Sequence, residues 1–204
     1  MSGDEVCTKL FQIIAKGVPK LLEAESFVEG KDRIVPNSVF IESRDVLSHL
    51  KDIALNVNDE IVIQKNLVEI QEHFRRGIME TYQEHYDFVA SNIFRLYENY
   101  KNSYIRFEKL LRLYDVNKET HQKIKNAVKV SQELWLEARS LKNNELESDK
   151  LDVAIDKFKY AAEYITSVED DINMLYNNLY KRSAVITLFL GICVFVIVLA
   201  LLFL

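Results

Sequence analysis

The sequence predicts an all-α protein: an antiparallel helical bundle, or a coiled-coil-like domain of long helices, with a single C-terminal transmembrane helix. Three observations lead there. Only five glycines and two prolines occur in 204 residues, and both prolines, Pro19 and Pro36, fall in the first 36. A sheet protein needs turn residues at much closer intervals. Apolar residues recur at steps of three and four along most of the chain, the period of one face of a helix. Finally, Ala184 to Leu204 is a run of 21 residues with no charge and no amide.

The first helix is expected over about 4–28, with Val6, Leu10, Ile13, Ile14, Leu21, Leu22 and Val28 on its apolar face. Pro19 lacks a backbone N–H and disfavours helical backbone at the residue before it, so a kink or short break is expected there. "EGKDRIVPNS" reads as a connecting loop. A second helix is expected over 38–57, burying Phe40, Leu47, Leu50, Ala54 and Val57. Asn58 or Asp59 then caps a long third helix, 59–115. Phe74, Ile78, Tyr82 and Tyr86 make three consecutive four-residue steps, a stutter in the heptad phase. "RRG" lies on the same spot, so a break is expected near 75–77. Asp115 or Asn117 caps a fourth helix over 117–142. Asn144 and Glu147 form a capping-box pattern that opens a fifth over 145–182, with no helix breaker before the apolar run.

That fifth helix has the most regular pattern. Leu151, Ala154, Phe158, Ala161, Ile165, Val168, Ile172, Leu175 and Leu179 alternate by three and four. A seam this narrow suits a coiled-coil homodimer. Ile155, Ala162 and Tyr176 widen it, however, and a wider face is expected of a helix packed inside a bundle.

A helix of 21 residues spans roughly 30 Å, the thickness of a bilayer's hydrocarbon core. Ala184, Leu188, Leu190, Phe195, Ile197, Leu201 and Leu204 are the expected membrane-facing residues. Lys181 and Arg182 precede them, and the positive-inside rule then holds residues 1–182 in the cytoplasm, with 183–204 as the anchor. Gly191 has no partner at GxxxG spacing, so pairing inside the membrane has no motif behind it. The pattern resembles that of tail-anchored membrane proteins. The resemblance implies insertion after synthesis; with no basic residue following the apolar run, an endomembrane such as the ER is expected in a eukaryote, and the plasma membrane in a prokaryote.

The net charge of −5 argues against nucleic-acid binding. No HExxH, P-loop, GxGxxG or CxxC motif occurs, and the histidines lack the Glu-x-x-His spacing of di-iron bundles. No catalytic, cofactor or metal residue is therefore expected, no small-molecule substrate is evident, and the chain does not read as an enzyme. Asp45 with His49, and Glu69 with His73, stand four residues apart and read as solvated ion pairs. The basic stretch 101–129 and the acidic stretch 145–175 are expected to neutralise one another across a hairpin. The role expected is a scaffold or adaptor that recruits protein partners to a membrane.

Two partial resemblances accompany this reading. A helical domain, heptads and then an anchor is similar to the layout of SNARE proteins, and covers roughly the last third of the chain. It implies an alternative role in membrane fusion or tethering. The nine heptad layers hold neither the Gln nor the Arg that SNARE motifs carry at their centre. "LDVAIDKFKYAAEYI" is similar to the second helix of a tetratricopeptide repeat, through Ala154, Phe158 and Ala161. It implies a helical hairpin.

Overall fold

The computed structural model describes residues 3–32, 36–111, 118–142 and 148–202. Side chains are described for these except 31, 32, 100–111, 118, 148, 149, 179, 182, 183, 186 and 196–202. The described residues form six helices and no strand: α1 (Gly3–Asp32), α2 (Asn37–Leu55), α3 (Glu60–Leu111), α4 (Lys118–Lys142), α5 (Ser148–Thr166) and α6 (Glu169–Leu202). The expected caps at Asp115, Asn117, Asn144 and Glu147 lie outside the described residues.

α3 is the spine of the bundle. At 52 residues it is about 78 Å long, and it packs against α1, α2, α5 and α6, while α4 packs against α5 and α6. Individual contacts fix the helix directions. Phe27 of α1 meets Tyr82 and His85 of α3, and Gly17 lies against Phe74, so α1 and α3 run parallel. Arg75 and His85 bond to Asp152 and Thr166, so α5 runs parallel to α3 as well. Ser38–Thr81 and His49–Asn66 make α2 antiparallel to α3. Tyr86–Trp135 and Tyr97–His121 do the same for α4. The result is an up-down bundle with one continuous apolar core.

Several boundaries differ from those the sequence suggests. α1 runs unbroken through Pro19. The carbonyl that Pro19 leaves without its helix bond belongs to Ala15, and both residues are exposed, so water can satisfy it. α2 is rotated from the expected face. It buries Ser38, Val39, Glu42, Val46 and Ile53 and leaves Phe40 and Leu47 exposed; Val57 lies beyond its end. A pattern that counts only apolar residues misses a buried face whose Ser38 and Glu42 have partners inside.

α3 has no break at 75–77. Gly77 serves close packing instead: an added Cβ would sit 3.1 Å from Leu21 and 3.3 Å from Glu42. The four stutter residues Phe74, Ile78, Tyr82 and Tyr86 are all buried, because α3 is covered on several sides and needs no single heptad seam. The start of α3 follows the expected cap: Asp59 Oδ1 accepts from the Ile61 and Val62 amides, both at 3.1 Å.

The expected fifth helix is two helices. It ends at Thr166, where the Ser167 hydroxyl donates back to the Tyr164 carbonyl at 2.7 Å and the Val168 amide turns to Ile165 O at 3.4 Å. α6 then restarts with Glu169, Asp170 and Asp171 in its first turn, where carboxylates favour the positive end of the helix dipole. From Glu169 it is continuous to Leu202. Among the described residues no helix is long and apolar enough to cross a membrane; the apolar run passes through Ile186 and residues 196–204, whose side chains lie outside them.

Candidate functional site

Of the heptad residues, Ala154, Phe158, Ala161, Ile165, Val168, Ile172 and Leu175 are buried, and Leu151 is partly buried against the core. Neighbouring helices of the same chain cover this seam. The Leu179 side chain lies outside the described residues. Lys181 is exposed, and Arg182 is helical in backbone with its side chain outside those described. Ala184, Leu188, Leu190 and Phe195 are exposed on α6. Ile197 and Leu201 are helical in backbone with undescribed side chains, and Leu204 is outside the described residues. These two groups do not converge on a shared site.

The convergence lies elsewhere, between α2 and α3, in a ladder of polar side chains. Ser38 and Thr81 share a hydroxyl bond of 3.3 Å, and Thr81 donates to Gly77 O at 2.7 Å. Next, Glu42 Oε2 lies 2.5 Å from His73 Nδ1, with both side chains nearly closed to water. His49 follows, with Nε2 3.1 Å from His73 Nε2 and Nδ1 2.6 Å from Asn66 Oδ1. Asn66 is oriented by its amide, which donates to Val62 O at 2.8 Å. A carbonyl can only accept, so Asn66 must present its oxygen to His49. Glu69 stands one turn before His73 on α3, and one ligand atom each from His49, Glu69 and His73 lies within 4.8 Å of the others.

The solvated pairs expected from spacing are therefore replaced. Asp45 pairs with Arg44 at 2.8 Å, and the Arg44 hydrogen bond, with the Arg44 charge adding to it, holds Asp45 below the usual carboxylate range. His73 takes its carboxylate from Glu42 on the facing helix. Sequence spacing could find Glu69 and His73 on one face. It could not find His49 and His73 together, because that depends on the register of two helices.

A groove of about 820 Å³ between α1, α3 and α5 has an apolar floor that includes Ile13, Phe74 and Ile155. Two cations on its rim, Lys9 and Arg75, are engaged by Glu5, Glu72 and Asp152. Trp135 stacks on Tyr86 at 5.9 Å with Arg139 over its ring at 5.0 Å. Tyr82 is buried beside Phe27, and burial pushes its hydroxyl up to about 12.

Compared with protein families, with curated proteins and with solved structures, the chain finds no match in any of the three.

Proposed function

We propose that the chain is a membrane-anchored helical bundle that recruits protein partners to a membrane surface. The observation that carries this is the course of α6. One helix of 34 residues begins in the core, where Ile172 and Leu175 are buried, and continues into the charge-free run from Ala184. Val185, Leu188, Phe189, Leu190, Val194 and Phe195 are each more than half exposed. A contiguous apolar surface of this kind marks a membrane or protein contact, and the length of the charge-free run in the sequence favours a single span. Lys181 and Arg182 favour the cytoplasmic side for the bundle.

The recruiting part of the proposal is supported by α2. Phe40, Ile41, Leu47 and Leu55 are exposed although the opposite face of the same helix is packed. Apolar side chains there offer a partner a surface, and tethering raises its effective concentration at the membrane. The fusion alternative is less well supported. A zippering motif needs a free seam, and Phe158, Ile165 and Ile172 are 0% exposed within the folded chain.

Fractionation of cells expressing the full chain tests the anchor. The protein should stay with membranes through alkaline carbonate extraction, and L188R/F195R should release it, since an arginine near mid-bilayer costs about 2.5–3.5 kcal/mol. Recovery of the unaltered chain in the soluble fraction would refute it. Partners that co-purify should be lost with F40D/L47D, which leaves the anchor intact.

A further inference from the structure

We propose that the junction of α2 and α3 is a binding site for a divalent transition-metal ion, zinc above all, with His49 Nε2, His73 Nε2 and the Glu69 carboxylate as ligands. The hydrogen bonds on the far side of each ring carry the case. Asn66 Oδ1 is an obligate acceptor, because its own amide is committed to Val62 O at 2.8 Å. At 2.6 Å it requires the proton of His49 to sit on Nδ1. Glu42 Oε2, at 2.5 Å, draws the proton of His73 to Nδ1 in the same way. Each neutral ring is left with a lone pair on Nε2, and the two Nε2 atoms face one another at 3.1 Å. Two acceptors at that distance repel unless something positive sits between them.

A metal ion fits this position by distance and by chemistry. Zinc–nitrogen bonds of about 2.0–2.1 Å at a tetrahedral angle separate two ligand nitrogens by about 3.3 Å, close to the observed spacing. Glu69 brings a third ligand from the same face of α3 as His73, with its ligand atom inside the 4.8 Å cluster. Two imidazoles and one carboxylate leave a fourth position for water. His73 is buried while His49 and Glu69 are half-buried, so the site opens to solvent on the His49–Glu69 side. Metal-bound histidines commonly give their other N–H to a carboxylate or amide carbonyl, which fixes ring orientation and raises basicity. Glu42 and Asn66 occupy those outer positions here.

The competing occupant is a proton shared between the rings, and one experiment separates the two. The full chain, stripped with a chelator, is titrated with Zn²⁺ against a chromophoric chelator and with Co²⁺ by visible absorption. One ion per chain is expected, with the ligand-field spectrum of four-coordinate Co²⁺. E69Q and H49A should each weaken binding by about 10-fold or more, and E42Q, outside the ligand set, by about 10- to 100-fold. D52N, on the same helix and outside the cluster, should bind like the parent. Because Glu42 and His73 are buried, far-UV circular dichroism of each metal-free variant must match the parent before its affinity is read; E69Q and H49A, nearer the surface, carry the test if E42Q does not fold. The proposal is overturned if no stoichiometric ion binds, if H49A and E69Q bind as the parent does, or if NMR finds a proton held between the two Nε2 atoms in saturating zinc.

Discussion

Gly17→Ala is the sharpest probe of how α1 seats on α3. Gly17 is buried mid-helix, and an added Cβ would lie 2.5 Å from both Cγ and Cδ2 of Phe74 and 3.0 Å from its Cβ. Carbon atoms pack best at about 3.5–4.0 Å, so the ring must retreat by about 1 Å. Phe74 is buried in the core cluster and also floors the groove between α1, α3 and α5, but the clash falls on its Cβ and Cγ, the root of the side chain, which moves least. Overpacking of this kind costs about 1–3 kcal/mol, whereas replacing a mid-helix glycine by alanine gains about 0.8–1 kcal/mol of helix propensity. The net expectation is a loss of about 1 kcal/mol. Phe74→Ala alone should cost about 3–5 kcal/mol, but in that background the ring clash is gone and G17A should become neutral or stabilising. The assay is guanidinium unfolding of the full chain in detergent, followed by circular dichroism, for all four members of the cycle. A coupling of about 1–2 kcal/mol is expected. If G17A stabilises equally in both backgrounds, the close approach of α1 to α3 at this point is wrong.

Pro19→Ala should raise stability by about 1–3 kcal/mol, since it restores a helix hydrogen bond and removes a ring from the interior of α1; unchanged or lower stability by the same unfolding assay would contradict an uninterrupted α1. Glu42→Ala should cost about 1–3 kcal/mol, because it leaves the buried Nδ1–H of His73 without its acceptor; a loss below 0.5 kcal/mol, about the least a lost hydrogen bond costs, would mean that the pair is solvated. Phe158→Ala should cost about 3–5 kcal/mol with a midpoint independent of protein concentration, whereas a dimeric seam would make the midpoint rise with concentration. Tyr82 titrates near 12 because burial disfavours its phenolate, so its contribution is intact below the unfolded value of about 10 and is lost as pH rises towards 12. Tyrosine absorbance in Y82F should therefore lose a late, unfolding-linked step in alkaline titration; loss of a step near pH 10 instead would place Tyr82 in water.

The helical class and most of the helix order were legible because periodicity and scarce turn residues act locally. The core face of α5 was legible for the same reason: Ala154, Phe158 and Ala161 are each 0% exposed. The stop at Thr166 left only a faint local trace, since Glu169 is the first residue of α6 and the Thr166 hydroxyl turns to His85 and not to a cap. An unbroken apolar period across it hid the signal. The break expected at Gly77 failed for a different reason. A glycine in a helix can weaken the backbone or admit a neighbour, and only the positions of Leu21 and Glu42 decide between them. The face of α2 failed because burial there is polar, and a hydrophobic count cannot see a serine and a glutamate that find partners 43 and 31 residues away.

That polar face also explains how two helices of similar apolar pattern settle on one alignment. Apolar ridges tolerate sliding, since one aliphatic contact replaces another at little cost. Hydrogen-bonded rungs do not. Ser38 to Thr81, Glu42 to His73 and His49 to Asn66 form a ladder along the antiparallel pair. A shift of one helical turn, about 5.4 Å, would strand every one of them. An unpaired buried polar group costs about 1–3 kcal/mol, more when charged, so the misaligned state is disfavoured by several such terms together. The register that these rungs impose is what brings His49 Nε2 to His73 Nε2. The same groups therefore align the hairpin and create the electron-rich point at its centre. S38A/T81A removes one rung without touching the histidines and should leave metal affinity unchanged while lowering stability by about 1 kcal/mol. An equal loss of affinity would mean that the rungs act as one unit, with the site depending on the whole ladder and not only on its own ligands.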